Sequence, residues 1–184
     1  MNIREVNLDD TEQFVQLIKE VENQSEFMLY GAGERNITIE GQRKQLANIE
    51  KSPHSTVLVA EESSGKLVGY LFAIGNNAIR KKHSAYLVIG ILKEYTGKGI
   101  GTKLFQSLED WVATNHIQRL ELTVVTENKA GIALYKKMGF EIEGTKRNSI
   151  IINGTSFDEY QMAKLFIGEK NKDVDFLWTD MKNY

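Results

Sequence analysis

The chain of 184 residues carries 23 basic and 25 acidic side chains, for a formal net charge of −2. This length falls within the usual range for one domain and is sufficient to bury a core without disulfides or metals. Because the charges nearly cancel, no global positive field would attract nucleic acid, and we expect no nucleic-acid partner. The chain has no cysteine, which excludes disulfides, thiolate metal sites and a cysteine nucleophile.

Signals for membranes, metals and further domains are missing from the sequence. There is no apolar signal core at the N-terminus and no run of about 18 apolar residues, so we expect a cytoplasmic protein without a membrane partner. His54, His83 and His116 lack metal-ligand spacing, and no metal is expected. We expect one domain over residues 1–167, followed by a C-terminal tail, 168–184, that packs on its own domain, frays, or contributes to a homodimer.

The N-terminal third predicts one strand and two helices. Residues 2–7 predict a strand, and the cap residues Asp9, Asp10 and Thr11 predict a helix start. The helix has an apolar stripe of Phe14, Leu17, Ile18 and Val21. Residues 21–38 show no sustained period and predict an irregular loop or a short helix, whereas 38–51 predict a helix capped by Thr38.

Three strands are predicted next. Residues 55–62 and 66–76 are joined by Ser63-Ser64-Gly65 and predict an antiparallel hairpin. Residues 84–92 are apolar at both odd and even positions, so we expect this strand to be covered on both faces.

The second half of the chain alternates helices and strands. An apolar stripe predicts a helix over residues 100–115, and alternation at 120–124 predicts a strand. A helix over 128–137 would end at Gly139. Two further strands, 140–146 and about 149–165, would close the sheet as a hairpin around Asn153-Gly154.

Gly97, Gly99 and Gly101 alternate just before the helix predicted at 100–115. Glycine allows positive φ and close approach of the backbone, and the N–H groups of a first helical turn suit a phosphate or pyrophosphate. Taken alone, the loop is equally consistent with a structural turn. A P-loop is excluded by its spacing, and the dinucleotide pattern requires glycine where Thr102 stands.

Two segments resemble motifs of the GNAT acetyltransferase superfamily. Residues 91–104, ILKEYTGKGIGTKL, resemble its acetyl-coenzyme A motif, Gln/Arg-x-x-Gly-x-Gly/Ala. Residues 128–140, NKAGIALYKKMGF, are similar to its downstream motif. The departures are Thr96, where Gln or Arg is usual, and Lys93, where proline is common. The resemblance covers about residues 2–165 and implies an α/β fold of three layers, a mixed, mostly antiparallel sheet with helices on both faces.

The resemblance also implies a cosubstrate, acetyl-coenzyme A, and residues that contact it. The backbone of Ile89 and Ile91 would hold the pantetheine arm, and Asn128 would contact the arm while capping its helix. Tyr135 would protonate the departing sulfur, because a phenol with a pKa near ~10 is protonated at neutral pH. Without the resemblance, Tyr135 is most simply a core aromatic. The phosphates would be held by residues 96–102, namely Thr96, Gly97, Lys98, Gly99, Ile100, Gly101 and Thr102.

The implied reaction is N-acetylation, in which a primary amine attacks acetyl-coenzyme A directly in a ternary complex. The acceptor would be a small-molecule amine or a peptide N-terminus. No carboxylate lies within residues 85–91, so a water chain is the expected route for the amine's proton. Carboxylates of the irregular loop could hold a cationic amine, and Arg35 a carboxylate, although solvated loop charges are the simpler interpretation. The remaining candidate carboxylates, Glu121, Asp158 and Glu159, are interpreted as surface charges.

Two other hypotheses stay open at the level of sequence. The chain could be a non-catalytic acyl-coenzyme A sensor that regulates a partner, which predicts binding without turnover. It could also use the glycine loop for another nucleotide, which predicts that ATP or NAD competes with coenzyme A.

Overall fold

Seven strands form a single sheet in the computed structural model, which describes residues 1–166. The strands are β1 (Asn2–Glu5), β2 (Thr56–Glu61), β3 (Leu67–Gly75), β4 (Ser84–Ile91), β5 (Arg119–Val125), β6 (Glu141–Ile152) and β7 (Thr155–Leu165). Their order across the sheet is β1-β2-β3-β4-β5-β7-β6. Within the described residues, β4 and β5 are the one parallel pair and the other five pairings are antiparallel.

Four α-helices pack against this sheet: α1 (Thr11–Gln24), α2 (Ile39–Glu50), α3 (Ile100–Thr114) and α4 (Lys129–Lys137). Short 3₁₀ turns precede α1 and α3. None of the helices described within residues 1–166 is long and apolar enough to cross a membrane.

Neighbouring residues of β3 show that α1 and α3 lie on opposite faces of the sheet. The Tyr70 ring packs on Phe14 of α1, with ring centroids 5.8 Å apart. A Cβ built on Gly69 would point the other way, 3.6 Å from Ile100 Cγ2 of α3. Because successive residues of a strand face opposite sides, the helices cover both faces. The predicted fold class is confirmed.

The start of α1 differs from the prediction in its cap. The Asn7 side chain accepts hydrogen bonds from the N–H groups of Asp9 and Asp10, at 2.9 and 3.1 Å. The Asp10 carboxylate in turn accepts from the Asn7 N–H at 2.8 Å, which completes a capping box around a 3₁₀ turn. Asp10 holds the N-cap position of α1, within the predicted Asp9–Thr11 run, but its side chain makes no capping bond to α1, and the side-chain cap is that of Asn7 on the preceding turn. The prediction for α2 is confirmed, since the Thr38 hydroxyl accepts from the Gly41 N–H at 3.1 Å.

Two of the predicted strands also differ in detail. β4 is not covered on both faces, because Tyr86 and Val88 are 40% and 38% exposed on the α1 side of the sheet. β6 runs unbroken to Ile152, whereas the sequence predicted a break after residue 146. The hairpin turn lies at Asn153-Gly154 as expected, with positive φ at both residues. The predicted tail, 168–184, lies outside the described residues.

Candidate active site

The sheet opens between its two parallel strands. β4 and β5 are in register at three pairs, from Ser84↔Arg119 to Tyr86↔Glu121, and beyond Tyr86 no pairing between them is recorded in the described chain. On its other side β4 stays paired with β3 as far as Ile91. The last five residues of β4 therefore form one wall of a gap.

The backbone of β4 directs polar groups into this gap. The Leu92 N–H donates to the Val68 carbonyl at 3.0 Å, which makes Val68 and Leu92 a hydrogen-bonded pair. In an antiparallel ladder such pairs alternate, so Val88 and Gly90 direct their N–H and C=O groups toward β3. Leu87 faces β5 next to the last registered pair, whereas Ile89 and Ile91 direct their N–H and C=O groups toward the gap. The two strand positions predicted to bind a pantetheine arm thus have backbone groups available to an extended ligand.

The glycine loop lies at the end of this strand and leads into α3. Gly97 and Gly99 adopt left-handed φ values of +72° and +79°, and a Cβ on either would meet no atom within 4 Å. The first intrahelical bond runs from the Lys103 N–H to the Gly99 carbonyl at 3.1 Å. Among residues 1–166 no acceptor is found for the N–H groups of residues 97–102. This row of donors at the positive end of a helix suits an anionic group.

Gly101 has a different structural reason to be glycine. A Cβ there would lie 2.6 Å from Leu134 Cδ2 of α4 and 3.6 Å from Ile91 Cδ1. The missing side chain lets α3 and α4 pack closely, which positions the α4 residues at the gap. The Gly101 N–H remains part of the donor row.

The side chains of the glycine loop offer fewer donors to a phosphate than the resemblance implied, whereas a lysine on α4 adds a positive charge that the resemblance did not include. The Thr96 hydroxyl donates to the Lys93 carbonyl at 2.8 Å, so its proton is used within the loop. Lys98 Nζ lies 5.0 Å from the centroid of the Tyr95 ring. Lys137 Nζ donates to Thr102 Oγ1 at 3.2 Å and adds a cation beside the first turn of α3. The sequence analysis missed Lys137, although its position three residues after Leu134, on the same face of α4, was a usable signal.

Asn128 and Tyr135 lie at the two ends of α4. Asn128 Oδ1 accepts from the Gly131 N–H at 2.9 Å, which confirms the cap and leaves the amide N–H₂ as a donor. Tyr135 is 8% exposed and its ring packs edge-on against Phe105, at 6.0 Å between centroids. Its hydroxyl makes no hydrogen bond within the described part of the chain. Burial, and secondarily the Tyr86 phenol, raises the pKa of Tyr135 above its usual value of 10, so the hydroxyl keeps its proton.

One hydrogen bond spans the gap itself. The hydroxyls of Tyr86 on β4 and Thr123 on β5 are 2.6 Å apart, two residues beyond the last registered pair of β5. The influence of Tyr86 on the pKa of Tyr135 indicates that the two phenols approach each other. Hydroxyl groups therefore lie at the end of the gap where β4 and β5 separate.

The three candidate carboxylates form hydrogen bonds or ion pairs with other residues. Glu121 pairs with Arg119 at 2.9 Å, Asp158 accepts from the Asn148 N–H at 2.8 Å, and Glu159 accepts from the Ser149 hydroxyl at 2.6 Å. These contacts agree with the interpretation of the three as surface charges. The five residues of β4 that line the gap contain no carboxylate.

The opening between the parallel strands, the donor row and the glycine-led helix together form a site that suits an extended ligand with an anionic end. The chain belongs to the Acetyltransferase (GNAT) family, whose model matches residues 18–140. The resemblance found in the sequence is thereby confirmed.

Two curated relatives illustrate the range within the family. The L-amino acid N-acetyltransferase AaaT of Escherichia coli is 32% identical over 105 residues, which are 55% of this chain and 63% of AaaT. The N-alpha-acetyltransferase RimI of Mycobacterium tuberculosis is 32% identical over 113 residues, 61% of this chain and 68% of RimI. The match thus spans slightly less than two thirds of AaaT and slightly more than two thirds of RimI.

Solved structures extend the likeness over most of the described chain. A GNAT-family acetyltransferase from Streptococcus pneumoniae superposes with a TM-score of 0.86 at 30% identity, covering 90% of this chain and 99% of that one. A putative acetyltransferase from Salmonella typhimurium, solved with its cofactor acetyl-CoA, has a TM-score of 0.82 at 17% identity, covering 94% and 97%. The second likeness concerns the fold alone.

Proposed function

We propose that this protein is an N-acetyltransferase that transfers the acetyl group of acetyl-coenzyme A to a primary amine by direct attack in a ternary complex. The observation that carries the proposal is the continuity of the open β4 edge with the unpartnered N–H groups of residues 97–102. An extended arm with a pyrophosphate at one end matches that pair of features in shape and charge. Acetyl-coenzyme A is such a molecule, and it supplies the thioester carbon that the amine attacks.

The proposed roles in binding follow from the geometry. The N–H groups of residues 97–102 hold the pyrophosphate, and Lys98 and Lys137 add positive charge. The backbone N–H and C=O groups of Ile89 and Ile91 that face the gap bind the pantetheine arm in the way that a strand edge binds an added strand. The Asn128 amide reaches the arm from the opposite side of the gap. Thr96 shapes the loop, because its backbone N–H and its hydroxyl both donate to the Lys93 carbonyl, at 3.2 and 2.8 Å.

Backbone donors of β4 also have a proposed role in the reaction. Attack on a thioester places negative charge on the former carbonyl oxygen, and a preorganised N–H that faces the gap stabilises that charge. Removing one such donor in other enzymes costs about 2.7–4 kcal/mol of transition-state stabilisation. Ile89 and Ile91 are the candidates, since β4 is held on its other side by β3 and cannot easily shift.

Tyr135 is the proposed proton donor to the departing sulfur. Its raised pKa keeps the phenol neutral, and its hydroxyl is not bonded to another group of the described chain. The coenzyme A thiolate leaves into the same apolar surroundings, so burial raises the pKa of its thiol as well. Because burial raises both pKa values, it does not by itself disfavour proton transfer from Tyr135 to the sulfur. For the amine's own proton we propose water in the gap as the acceptor.

The proposal is tested by measuring thiol release from acetyl-coenzyme A over a panel of amino acids, polyamines, aminoglycosides and N-terminal peptides. Acetyl transfer to at least one amine, with initial rates that fit an intersecting two-substrate pattern, supports the ternary-complex mechanism. A parallel-line pattern contradicts that mechanism. Tight binding of acetyl-coenzyme A without release of thiol to any acceptor in the panel would favour the sensor hypothesis instead.

A further inference from the structure

The only buried carboxylate of the described residues lies on α1, near the end of that helix. Glu22 on α1 is 4% exposed and forms an ion pair with Arg35 of the loop that follows. A buried carboxylate without a partner is costly, so Glu22 fixes the position of the Arg35 guanidinium. The Tyr30 ring lies beneath that guanidinium, 4.5 Å from its central carbon.

This pair lies next to the end of β4. Two residues after Glu22, Gln24 Oε1 accepts from the Lys93 N–H at 2.8 Å, which anchors the end of α1 where β4 ends. Tyr70 completes the connection, because its ring lies directly over Gly90. A Cβ on Gly90 would be 2.6 Å from Tyr70 Cζ and 2.7 Å from its hydroxyl.

The Tyr70 hydroxyl is a second polar group directed at the same place. Tyr70 is fully buried, and its hydroxyl has no hydrogen-bond partner within residues 1–166. Burial raises the pKa of Tyr70, the Glu22 charge raises it further, and the Arg35 charge lowers it. The hydroxyl therefore remains a hydrogen-bond donor.

The Arg35 guanidinium on Glu22 and the Tyr70 hydroxyl over Gly90 are two donors that together suit an anion with two oxygens. The guanidinium presents five N–H groups, and its bond to Glu22 is the one recorded side-chain contact of Arg35 to an acceptor in the described residues. Held by Glu22 on one side and Tyr30 on another, its partly exposed edge can bind a carboxylate at little cost in side-chain entropy. A cationic acceptor would face the same guanidinium and be repelled.

We infer that the acceptor is an amine that also carries a carboxylate, as a free amino acid does, and that Arg35 and the Tyr70 hydroxyl bind that carboxylate. Glu22 and Tyr30 act as positioning residues for Arg35. This inference rests on the proposed function, since the amine so oriented would attack at the gap beside Gly90.

The test compares each amino acid of a panel with its carboxamide, which has the same amine and side chain but no carboxylate. The quantity measured is the ratio of kcat/KM for acid and amide, calculated per neutral amine because the two amines have different pKa values. We expect kcat/KM for the acid to exceed that for the amide by about 10²-fold in the wild type. This is the order of magnitude expected for one charge-assisted, bidentate contact. Spermidine in the same panel should be a poor acceptor.

Three variants separate binding of the carboxylate from folding. Arg35→Lys keeps the charge and the ion pair but loses the planar fork, and Tyr70→Phe removes only the hydroxyl. Each should lower the acid-to-amide ratio about tenfold or more while leaving acetyl-coenzyme A affinity by calorimetry unchanged. Arg43→Lys is the matched control, because Arg43 lies on α2 and donates to the Leu8 carbonyl at 3.1 Å, away from β4. Its ratio should equal that of the wild type.

The outcomes distinguish this inference from the proposed function. Equal use of acids and amides, a preference for spermidine, or an unchanged ratio in Arg35→Lys would overturn the carboxylate site and leave N-acetylation standing. Failure of every amine to release thiol from bound acetyl-coenzyme A would overturn the proposed function, and the inference with it.

Discussion

Gly99 and Gly101 are two residues apart in one loop, and we expect their substitution to have different effects. Gly99 has a left-handed φ and its missing Cβ faces open space, whereas the missing Cβ of Gly101 faces Leu134. Gly99→Ala should weaken acetyl-coenzyme A binding at least tenfold and cost about 1–2 kcal/mol of stability from backbone strain. Gly101→Val should cost about 1–3 kcal/mol through overpacking against α4. Calorimetric titration and denaturant unfolding measure the two quantities.

A control for the strain at Gly99 is available elsewhere in the chain. Gly33 also has positive φ, at +74°, with no atom within 4 Å of a built Cβ, but it lies in the loop before α2. Gly33→Ala should show a similar loss of stability and normal cosubstrate affinity. If Gly99→Ala bound acetyl-coenzyme A as the wild type does, the assignment of the donor row to the pyrophosphate would be wrong.

Tyr135→Phe removes one hydroxyl and retains the ring that packs on Phe105 and Phe140. We expect kcat to fall about 10²-fold, the usual contribution of a general acid, with acetyl-coenzyme A affinity nearly unchanged. Steady-state kinetics and calorimetry test this. Unchanged turnover would remove Tyr135 from the mechanism.

The pKa of Tyr135 also determines the pH range in which its ionisation should affect kcat. A phenol in water loses its proton at a pKa of about 10, and burial raises the pKa of Tyr135 above that value. Deprotonation of Tyr135 should therefore cause no fall in wild-type kcat up to about pH 10. A fall well below that pH that disappears in Tyr135→Phe would contradict the assigned environment.

The entry into α1 depends on an ion pair, and this gives the element a pH-dependent stability. Arg4 binds both oxygens of Asp10, at 2.7 and 2.9 Å, and this contact holds the pKa of Asp10 below its ordinary value of 3.8. A lowered pKa adds stability above pH ~4 and loses it as the pH falls toward the folded-state value. Asp10→Asn keeps an acceptor for the Asn7 N–H but removes this charge.

We expect Asp10→Asn to cost about 1 kcal/mol at pH 7 and almost nothing near pH 2, since a partly exposed, hydrogen-bonded ion pair contributes about that much. Urea unfolding at pH 7, 5, 3 and 2 measures the difference. Asp9→Asn, which changes a neighbouring carboxylate that forms no ion pair within the described residues, is the matched control and should leave the stability at pH 7 nearly unchanged. A difference that stays constant from pH 7 to 2 would mean that the charge is not responsible.

Most elements could be predicted from the sequence because their signals are local. The stripe of α1, the Thr38 cap, the Ser63-Ser64-Gly65 hairpin and the Asn153-Gly154 turn each depend on a few neighbouring residues. The exposure of Tyr86 and Val88 could not be predicted, because it depends on how far α1 and α2 extend over the sheet. The unbroken β6 follows from its pairing with β7, which tolerates two irregularities in register.

The site was partly predictable for the same reason. Residues 96–102, Asn128 and Tyr135 occur in contiguous motifs, whereas Lys137 beside Thr102 and Tyr70 over Gly90 are contacts between distant segments. Glu22 had a local signal that was not used. It lies four residues after Ile18, on the apolar stripe of α1, and a carboxylate at such a position must find a cation when the helix packs.

At the scale of the whole molecule, the proposed domain boundary makes a prediction. The seven strands and four α-helices described within residues 1–166 form one sheet with its covering helices, and we propose residues 1–167 as the acetyltransferase domain. A chain ending at residue 167 should unfold within about 4 °C of the full-length protein, a shift that corresponds to roughly 1 kcal/mol at this size. Differential scanning calorimetry of both chains measures it. A much larger drop would show that the tail, 168–184, belongs to the folded domain.

The gap between β4 and β5 leaves amide groups of a central strand without strand partners. Protons on such amides exchange with solvent without any unfolding, whereas their neighbours bonded to β3 exchange only when the sheet opens. Ile89 and Ile91 should therefore show fast exchange inside an otherwise slow strand. A ligand that occupies the gap would slow these two protons together, so their exchange would report occupancy of the site even with an acceptor that is never acetylated.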